Sequence, residues 1–328
     1  MAAALYGPSG FYRTNSPEQH FRTSGNAGPL FAASLVPLVV AIDESLGHPS
    51  RLDVVDVGAG DGRLLSALHQ ALPEELSVRI RITAVEVRPR PTDLPVDVDW
   101  TNAVREQITG LVLAHELLDN VPCDVVQFQP GGRQLVEVDS STGAEGLARP
   151  LTQEQADWID RWWPISNDGD RAEIGIQRDQ AWAGLVSHLD RGVAVAVDYG
   201  HTRVERDSGF YDAGTLTAYR DGRQVAPIPD GSCDITAHVA MDACAEAGRA
   251  SGADATALCR QAVALRALGL DARRPPIDLA RTDPHSYVKR LARASHAAEL
   301  LDPADLGSFW WLMQSKGCHP VLDALDWS

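Results

Sequence analysis

The sequence predicts an α/β protein: a doubly wound, Rossmann-like parallel sheet carrying an inserted or appended α+β subdomain. Leu52-Asp53-Val54-Val55-Asp56-Val57 is a β-branched apolar run that breaks into Gly58-Ala59-Gly60-Asp61-Gly62 and resumes with Leu64, Leu65 and Leu68 at helical spacing, which reads as strand, tight turn, helix. Ile80 to Glu86 and Leu111 to Glu116 are further apolar runs that end on an acid. Val193-Ala194-Val195-Ala196-Val197-Asp198 repeats the pattern after a long interruption, so the sheet is expected to resume beyond an insertion.

Residues 1–29 are rich in Gly, Ser, Pro and aromatics, and are expected to be an irregular segment lying over the site. A helix follows over Pro29–Leu46, then strands at 52–57, at 78–87, near Val96–Trp100 and at 110–115. Val125–Gln129 and Gln134–Val138 flank Pro130-Gly131-Gly132 as a hairpin. Thr152 to Trp163 has Thr152 and Gln155 placed as a capping box, with Trp158, Trp162 and Trp163 for core or lid packing. A helix at Gln177–Leu189 leads to the strand ending at Asp198. Residues 202–235 read as a lid or binding loop, and Thr236–Ala247, Thr256–Leu268 and Asp283–Leu301 as helices. Ser308–Gln314 suits a buried late strand. The expected organisation is a cofactor-binding core of 30–124 and 177–235, an insertion of 125–176, a helical subdomain of 236–307, and a C-terminal strand segment, 308–328, returning to the sheet.

The chain has 328 residues and a formal charge of -16, with no basic block, which argues against a nucleic-acid partner. Its five cysteines are scattered, with no zinc-ligand spacing, as in reduced thiols, and no start-proximal segment resembles a signal peptide. A cytoplasmic protein without a metal is expected. The most apolar early stretch, Leu30 to Ile42, is interrupted by Pro37 and too short to span a membrane.

Asp56, Glu86 and Glu116 stand at successive strand ends, where open parallel sheets bind ligands. Acids beside the glycine turn would oppose a pyrophosphate but suit a ligand bearing ammonium and hydroxyl groups, as S-adenosylmethionine does. A turn whose glycines serve packing alone, or a nicotinamide or flavin site, stays open on these residues.

Several separated segments resemble one family. They are Ala4-Leu5-Tyr6, Gly10-Phe11-Tyr12, Phe21-Arg22-Thr23-Ser24, Asp56-Val57-Gly58-Ala59-Gly60, Val85-Glu86 and His115-Glu116-Leu117-Leu118-Asp119-Asn120-Val121-Pro122. Val197-Asp198-Tyr199-Gly200, Gly214 to Tyr219, Asp234 to Val239 and Phe309 to Gln314 complete the set. Together they resemble the MidA-like class I S-adenosylmethionine-dependent methyltransferases, whose mitochondrial member is a complex I assembly factor that methylates a protein arginine. The sequence departs from that pattern at His115, where the family usually has Asn, at Gln19–Asn26, and at Asp61-Gly62-Arg63. It also begins almost at Ala4-Leu5-Tyr6, so the family's preceding helix is expected to be missing.

With this resemblance, Gly58, Gly60 and Asp56 are assigned to the methionine end of the cofactor and Glu86 to its ribose; Ala59 and His115 join the cofactor-binding set, and Asn102, just after the third strand, is the candidate at the adenine. The resemblance implies an acceptor, protein or small molecule, near Tyr12, Thr23, Ser24, Tyr199 and His238. Glu116 and Asp119, three apart, would share one side of a helical turn and bind an arginine guanidinium. They and His115, a candidate proton acceptor near neutral pH, form the catalytic set. The readings carried forward are methylation of a protein arginine, methylation of a small molecule, or a cofactor-binding assembly factor with little turnover; a homodimer is compatible with each.

Overall fold

The structure is a computed structural model that describes residues 1–14, 28–95, 97–318 and 320–323. These form two compact units, one of 28–115, 188–197 and 253–323, the other of 1–14, 116–187 and 198–252.

In the first unit the chain lays down β1 (Leu52–Val57), β2 (Ile80–Val85), β3 (Val98–Thr101) and β4 (Ile108–His115). With strands Leu189–Asp198, Ala255–Arg260 and Trp310–Lys316 they make a seven-stranded sheet. Its order from one edge is Ala255–Arg260, Trp310–Lys316, Leu189–Asp198, β4, β1, β2, β3. β1 pairs parallel with β2 and β4, with Val55 opposite Thr83 and Val112. Leu52, Val54 and Val55 are fully buried, which explains the β-branched run. From β1 the chain proceeds outward to β2 and β3, then returns to β4 on the other side. The switch point therefore lies between the carboxyl ends of β1 and β4, where such sheets bind ligands. Of the two acids inside β1, Asp53 is matched by Arg105 and accepts the Thr109 N–H at 3.2 Å. Asp56 has no such match.

The predicted Pro29–Leu46 helix forms over Pro29–Ser45, burying Phe31, Leu35, Leu38, Val39 and Ile42. The expectation of a helix over Thr256–Leu268 is corrected. Ala255–Arg260 is a strand, antiparallel to Trp310–Lys316, and the helix is confined to Gln261–Ala267. Pairing with a buried neighbour outweighs the helical preference of its alanines and leucine. The stretch from Ala253 thus joins the sheet unit, where the sequence suggested a separate helical subdomain.

The second unit contains the predicted hairpin, Asp124–Gln129 with Gly132–Val138, widened by Glu145–Pro150 and Arg171–Ile174 into a four-stranded antiparallel sheet. Helix Gln153–Trp162 starts with the anticipated Thr152–Gln155 capping box. It packs Trp158 and Ile159 with Trp163 against Val126, Leu135 and Ala172. Residues 202–235 are not one long loop: Thr217–Arg220 pairs with Arg223–Val225 and Asp234–Thr236. The helix expected from Thr236 starts only at Met241, because Asp234–Thr236 and Val239–Ala240 are taken up in strand pairings. Residues 1–14 are also more regular than expected. They form short helices, Ala2–Tyr6 and Phe11–Thr14, that bury Leu5 and Phe11 against Ala218, Cys233 and Ile235. No helix among the described residues is long and apolar enough to cross a membrane.

Candidate active site

At the carboxyl end of β1 the chain turns through Gly58, Gly60 and Gly62 at φ +76°, +61° and +75°. A run of left-handed backbone is the conformation that residues with a Cβ resist. The Val85 carbonyl at the end of β2 accepts the N–H groups of Gly58 at 2.9 Å and Ala59 at 3.3 Å. Glu86, the next residue, accepts the Gly60 N–H on Oε2 at 2.9 Å. Its Oε1 accepts the N–H groups of Val87 at 2.8 Å and Arg88 at 3.1 Å. One carboxylate thereby fixes both the glycine turn and its own loop, and Arg88 lies 3.7 Å from it. Asp56 is 3% exposed, and among the described residues no group donates a hydrogen bond to its carboxyl. Burial, with Glu86's charge behind it, pushes Asp56 up to about 8. An acid held without a donor fits a ligand that brings cationic and hydrogen-bonding groups.

The remaining sheet-end candidates fare differently. β3 ends at Thr101 and leaves Asn102 exposed in the turn beyond it. His115 closes β4 with its ring 5.1 Å from that of Phe31. Burial lowers it to about 4, so the imidazole is neutral at pH 7 and a weak base, contrary to the expectation of an acceptor tuned near neutrality.

In the second unit, the turn after β4 gathers carboxylates. Glu116 sits at φ +50°, a left-handed conformation costly for a glutamate. The expectation that Glu116 and Asp119 share a helical turn is corrected, because the 3-10 turn spans only Leu118–Asn120. Asp119 is buried, and its Oδ2 accepts the Thr236 hydroxyl at 2.6 Å. Asp198 is 0% exposed, and its Oδ2 accepts the N–H groups of Leu118 at 2.8 Å and Asp119 at 3.2 Å. The Oδ1 atoms of Asp119 and Asp198 are both buried and have no partner among the described residues. Burial raises both acids, and for Asp198 the charges of Asp119 and Glu116 add to the effect.

Tyr199 and His238 lie together, their rings 6.1 Å apart and near-parallel at 22°. Burial, then Glu116, Asp119 and Asp198, hold the Tyr199 phenol far above its usual range, so it stays neutral. The Tyr12 hydroxyl donates to Asp234 Oδ1 at 2.9 Å, and the Asn120 amide donates to the same oxygen at 3.2 Å. Tyr12 is thus committed to an internal network. Thr23 and Ser24 lie outside the described residues. Among the described residues no group of His, Cys, Asp and Glu is arranged to hold a metal ion.

Several residues of this network were not singled out from sequence. Glu173, 3% exposed, accepts the N–H of Thr215 at 3.0 Å, its hydroxyl at 2.8 Å and the N–H of Leu216 at 3.2 Å. Gly214 must be glycine there: φ is +74° and a Cβ would come within 2.6 Å of Glu173 Oε1. Arg178 is 1% exposed and donates to the carbonyls of Asp119 at 2.8 Å, Val121 at 3.1 Å and His238 at 2.8 Å. A signal for it existed: Arg178, Trp182, Leu185 and Val186 fall at i, i+4, i+7 and i+8 on one buried helix stripe, where a charge has no place unless it is paired.

A family profile described as "Putative S-adenosyl-L-methionine-dependent methyltransferase" matches residues 35–259. A crystal structure of a Burkholderia thailandensis protein bound to S-adenosyl-homocysteine is 27% identical, covering 97% of this chain and 86% of that one, with a TM-score of 0.80. A native structure from the same organism gives 28% identity, 99% and 88% coverage, and a TM-score of 0.82. The Drosophila melanogaster protein arginine methyltransferase NDUFAF7 homolog, mitochondrial, is 24% identical over 282 residues. That match takes in 73% of this chain but only 63% of the fly protein's length. The profile spans more than half of the chain and fits the glycine turn and acids at the sheet's switch point, so the chain belongs to the MidA-like S-adenosylmethionine-dependent methyltransferases.

Proposed function

We propose that the chain transfers a methyl group to a guanidinium nitrogen of a protein arginine. The observation that carries this reading is the cluster of three acids at one place: half-buried Glu116, held in a strained conformation, with buried Asp119 in the same turn and buried Asp198 at the end of the neighbouring strand, hydrogen-bonded to that turn. A guanidinium is planar and carries N–H donors on each edge, so carboxylates can fix its plane and orient one nitrogen. It must also release a proton for each methyl it takes, and clustered carboxylates lower the cost of that step. The name of the fly relative, a protein arginine methyltransferase, supports the same choice.

On this reading Gly58, Ala59, Gly60 and Asp56 receive the methionine end of S-adenosylmethionine and Glu86 its ribose hydroxyls. The bound donor would supply an electrophilic methyl on a sulfonium. The chain's own groups then have to orient the acceptor and stabilise the charge that is redistributed. His115, neutral and half-buried, serves as a wall at the end of β4. The test is incubation of the purified chain with methyl-tritiated S-adenosylmethionine and a lysate from cells lacking its gene. Label in the protein fraction that hydrolyses to methylarginine is expected; label confined to low-mass products would replace the protein acceptor with a small molecule.

The state of Asp56 gives a pH prediction. Its folded value of about 8 lies above the ordinary carboxylate value of 3.8, so the folded protein holds this proton across that window. Its contribution to stability is full below the unfolded value and is lost as pH rises through about 8. A cationic ligand favours the ionised form, so binding below pH 8 must expel the proton. Affinity for S-adenosylmethionine is therefore expected to rise by up to about tenfold per pH unit between pH 6 and 7.5. Calorimetry at pH 6.5 in buffers of different ionisation heat should register close to one proton released, and a flat affinity across this range would remove Asp56 from the binding set.

A further inference from the structure

Arg178 stands on helix Ile176–His188, outside every segment that carries the family resemblance, yet it lies at the centre of the carboxylate turn. Its guanidinium donates to main-chain carbonyls on two separate segments, Asp119 and Val121 on one and His238 on the other. None of these bonds goes to a carboxylate. Asp119 and Asp198 each keep one oxygen without a donor although a cation lies close enough to lower both electrostatically. Three carbonyls around one buried guanidinium would repel one another without it, because each directs its negative end inward.

Building on the acceptor assignment above, we propose that Arg178 is a positioning residue for methyl transfer: its fork holds the Leu118–Val121 turn against the His238 loop, so that the turn keeps the shape in which Glu116, backed by buried Asp119 and Asp198, meets the acceptor. The planar geometry matters as well as the charge. A lysine could reach one or two of these carbonyls but not span both segments from fixed directions.

The test compares the full-length wild type with Arg178→Met, Arg178→Lys and Glu116→Gln. It measures S-adenosylhomocysteine affinity by calorimetry and tritiated methyl transfer to protein from the gene-deleted lysate at several lysate concentrations. Arg178→Met is expected to bind S-adenosylhomocysteine within about twofold of wild type while transfer efficiency falls about 30-fold, the equivalent of one or two lost charge-assisted bonds. Millimolar guanidinium ion is expected to restore part of that transfer in Arg178→Met and none in Arg178→Lys, a rescue that a purely space-filling role would not show. Transfer within threefold of wild type by Arg178→Met, or loss of S-adenosylhomocysteine binding in step with transfer, overturns the proposal. Should Arg178→Met fail to fold, Arg178→Lys decides: intact binding with impaired transfer supports the role, and wild-type transfer refutes it. Undiminished transfer by Glu116→Gln would remove the acceptor assignment and this role with it, whereas failure of the Arg178 variants alone leaves the acceptor assignment standing.

Discussion

Replacing Glu86 with alanine is expected to weaken S-adenosylhomocysteine binding by about a hundredfold, roughly 3 kcal/mol, with little change in thermal stability beyond a few degrees. Two losses combine. The carboxylate is the proposed acceptor for ribose hydroxyls, and a bidentate charged acceptor at a nearly buried position contributes more than a solvated one. It is also the group that takes the Gly60 N–H at 2.9 Å and the Val87 and Arg88 N–H groups at 2.8 and 3.1 Å. Without it the left-handed turn through Gly58, Gly60 and Gly62 loses its tie to β2 and must be ordered at the moment of binding. Glutamine should recover part of the loss, since its carbonyl can keep one set of donors while its amide cannot accept. Calorimetric titration of wild type, Glu86→Ala and Glu86→Gln with S-adenosylhomocysteine checks the order, and unchanged affinity in the alanine variant would place the ribose elsewhere. Glu86→Ala should also relieve Asp56, whose raised value owes part of its elevation to Glu86's charge. The proton release predicted above should then diminish at a given pH.

The glycine turn and its acids were legible because their determinants are local. A β-branched strand, a glycine turn and an acid at the next strand's end are contiguous patterns, and backbone geometry turns them into a cradle without help from distant residues. The carboxylate turn was only half legible. Glu116 and Asp119 stand out by their motif, but what gives Asp119 its character arrives from far along the chain: Thr236 on its Oδ2, and Arg178 on its carbonyl. Sequence spacing suggested a shared helical face for the two acids, and the left-handed Glu116 defeats that inference, because one residue at φ +50° redirects everything before the turn. The strand at Ala255–Arg260 was hidden for a related reason. Ala-Thr-Ala-Leu-Cys-Arg fits either element, and only the pairing with Trp310–Lys316, some fifty residues later, decides it. Glu173 escaped because its partners lie some forty residues away and include the main-chain N–H groups of Thr215 and Leu216, which leave no side-chain signature, beside the single hydroxyl of Thr215.

Glu116→Gln is expected to reduce methyl transfer about a thousandfold while S-adenosylhomocysteine affinity stays within about threefold of wild type. The change keeps volume and hydrogen-bonding reach but removes the charge. On the proposed reading that charge does two things at once: it takes the acceptor guanidinium in a paired hydrogen bond and holds positive charge away from the nitrogen that must attack. Loss of a charge-assisted pair to a desolvated guanidinium, together with the lost stabilisation of the transition state, amounts to about 4 kcal/mol, which sets the expected factor. The electrostatics of the turn make a second, independent readout. Glu116 contributes to the elevation of both Asp198 and Tyr199, so neutralising it should bring both back toward ordinary values. The pH profile of the residual transfer should therefore extend to lower pH than that of the wild type, since a less elevated Asp198 ionises earlier. Glu116→Asp offers the contrast, retaining charge but withdrawing it by one methylene, and should fall between the two. The measurement is tritiated methyl incorporation into protein across pH 6 to 9 for the three proteins, with calorimetry alongside. Wild-type transfer by Glu116→Gln at every pH would show that the strained glutamate serves the fold alone, and would return the choice of acceptor to molecules that need no carboxylate to orient them.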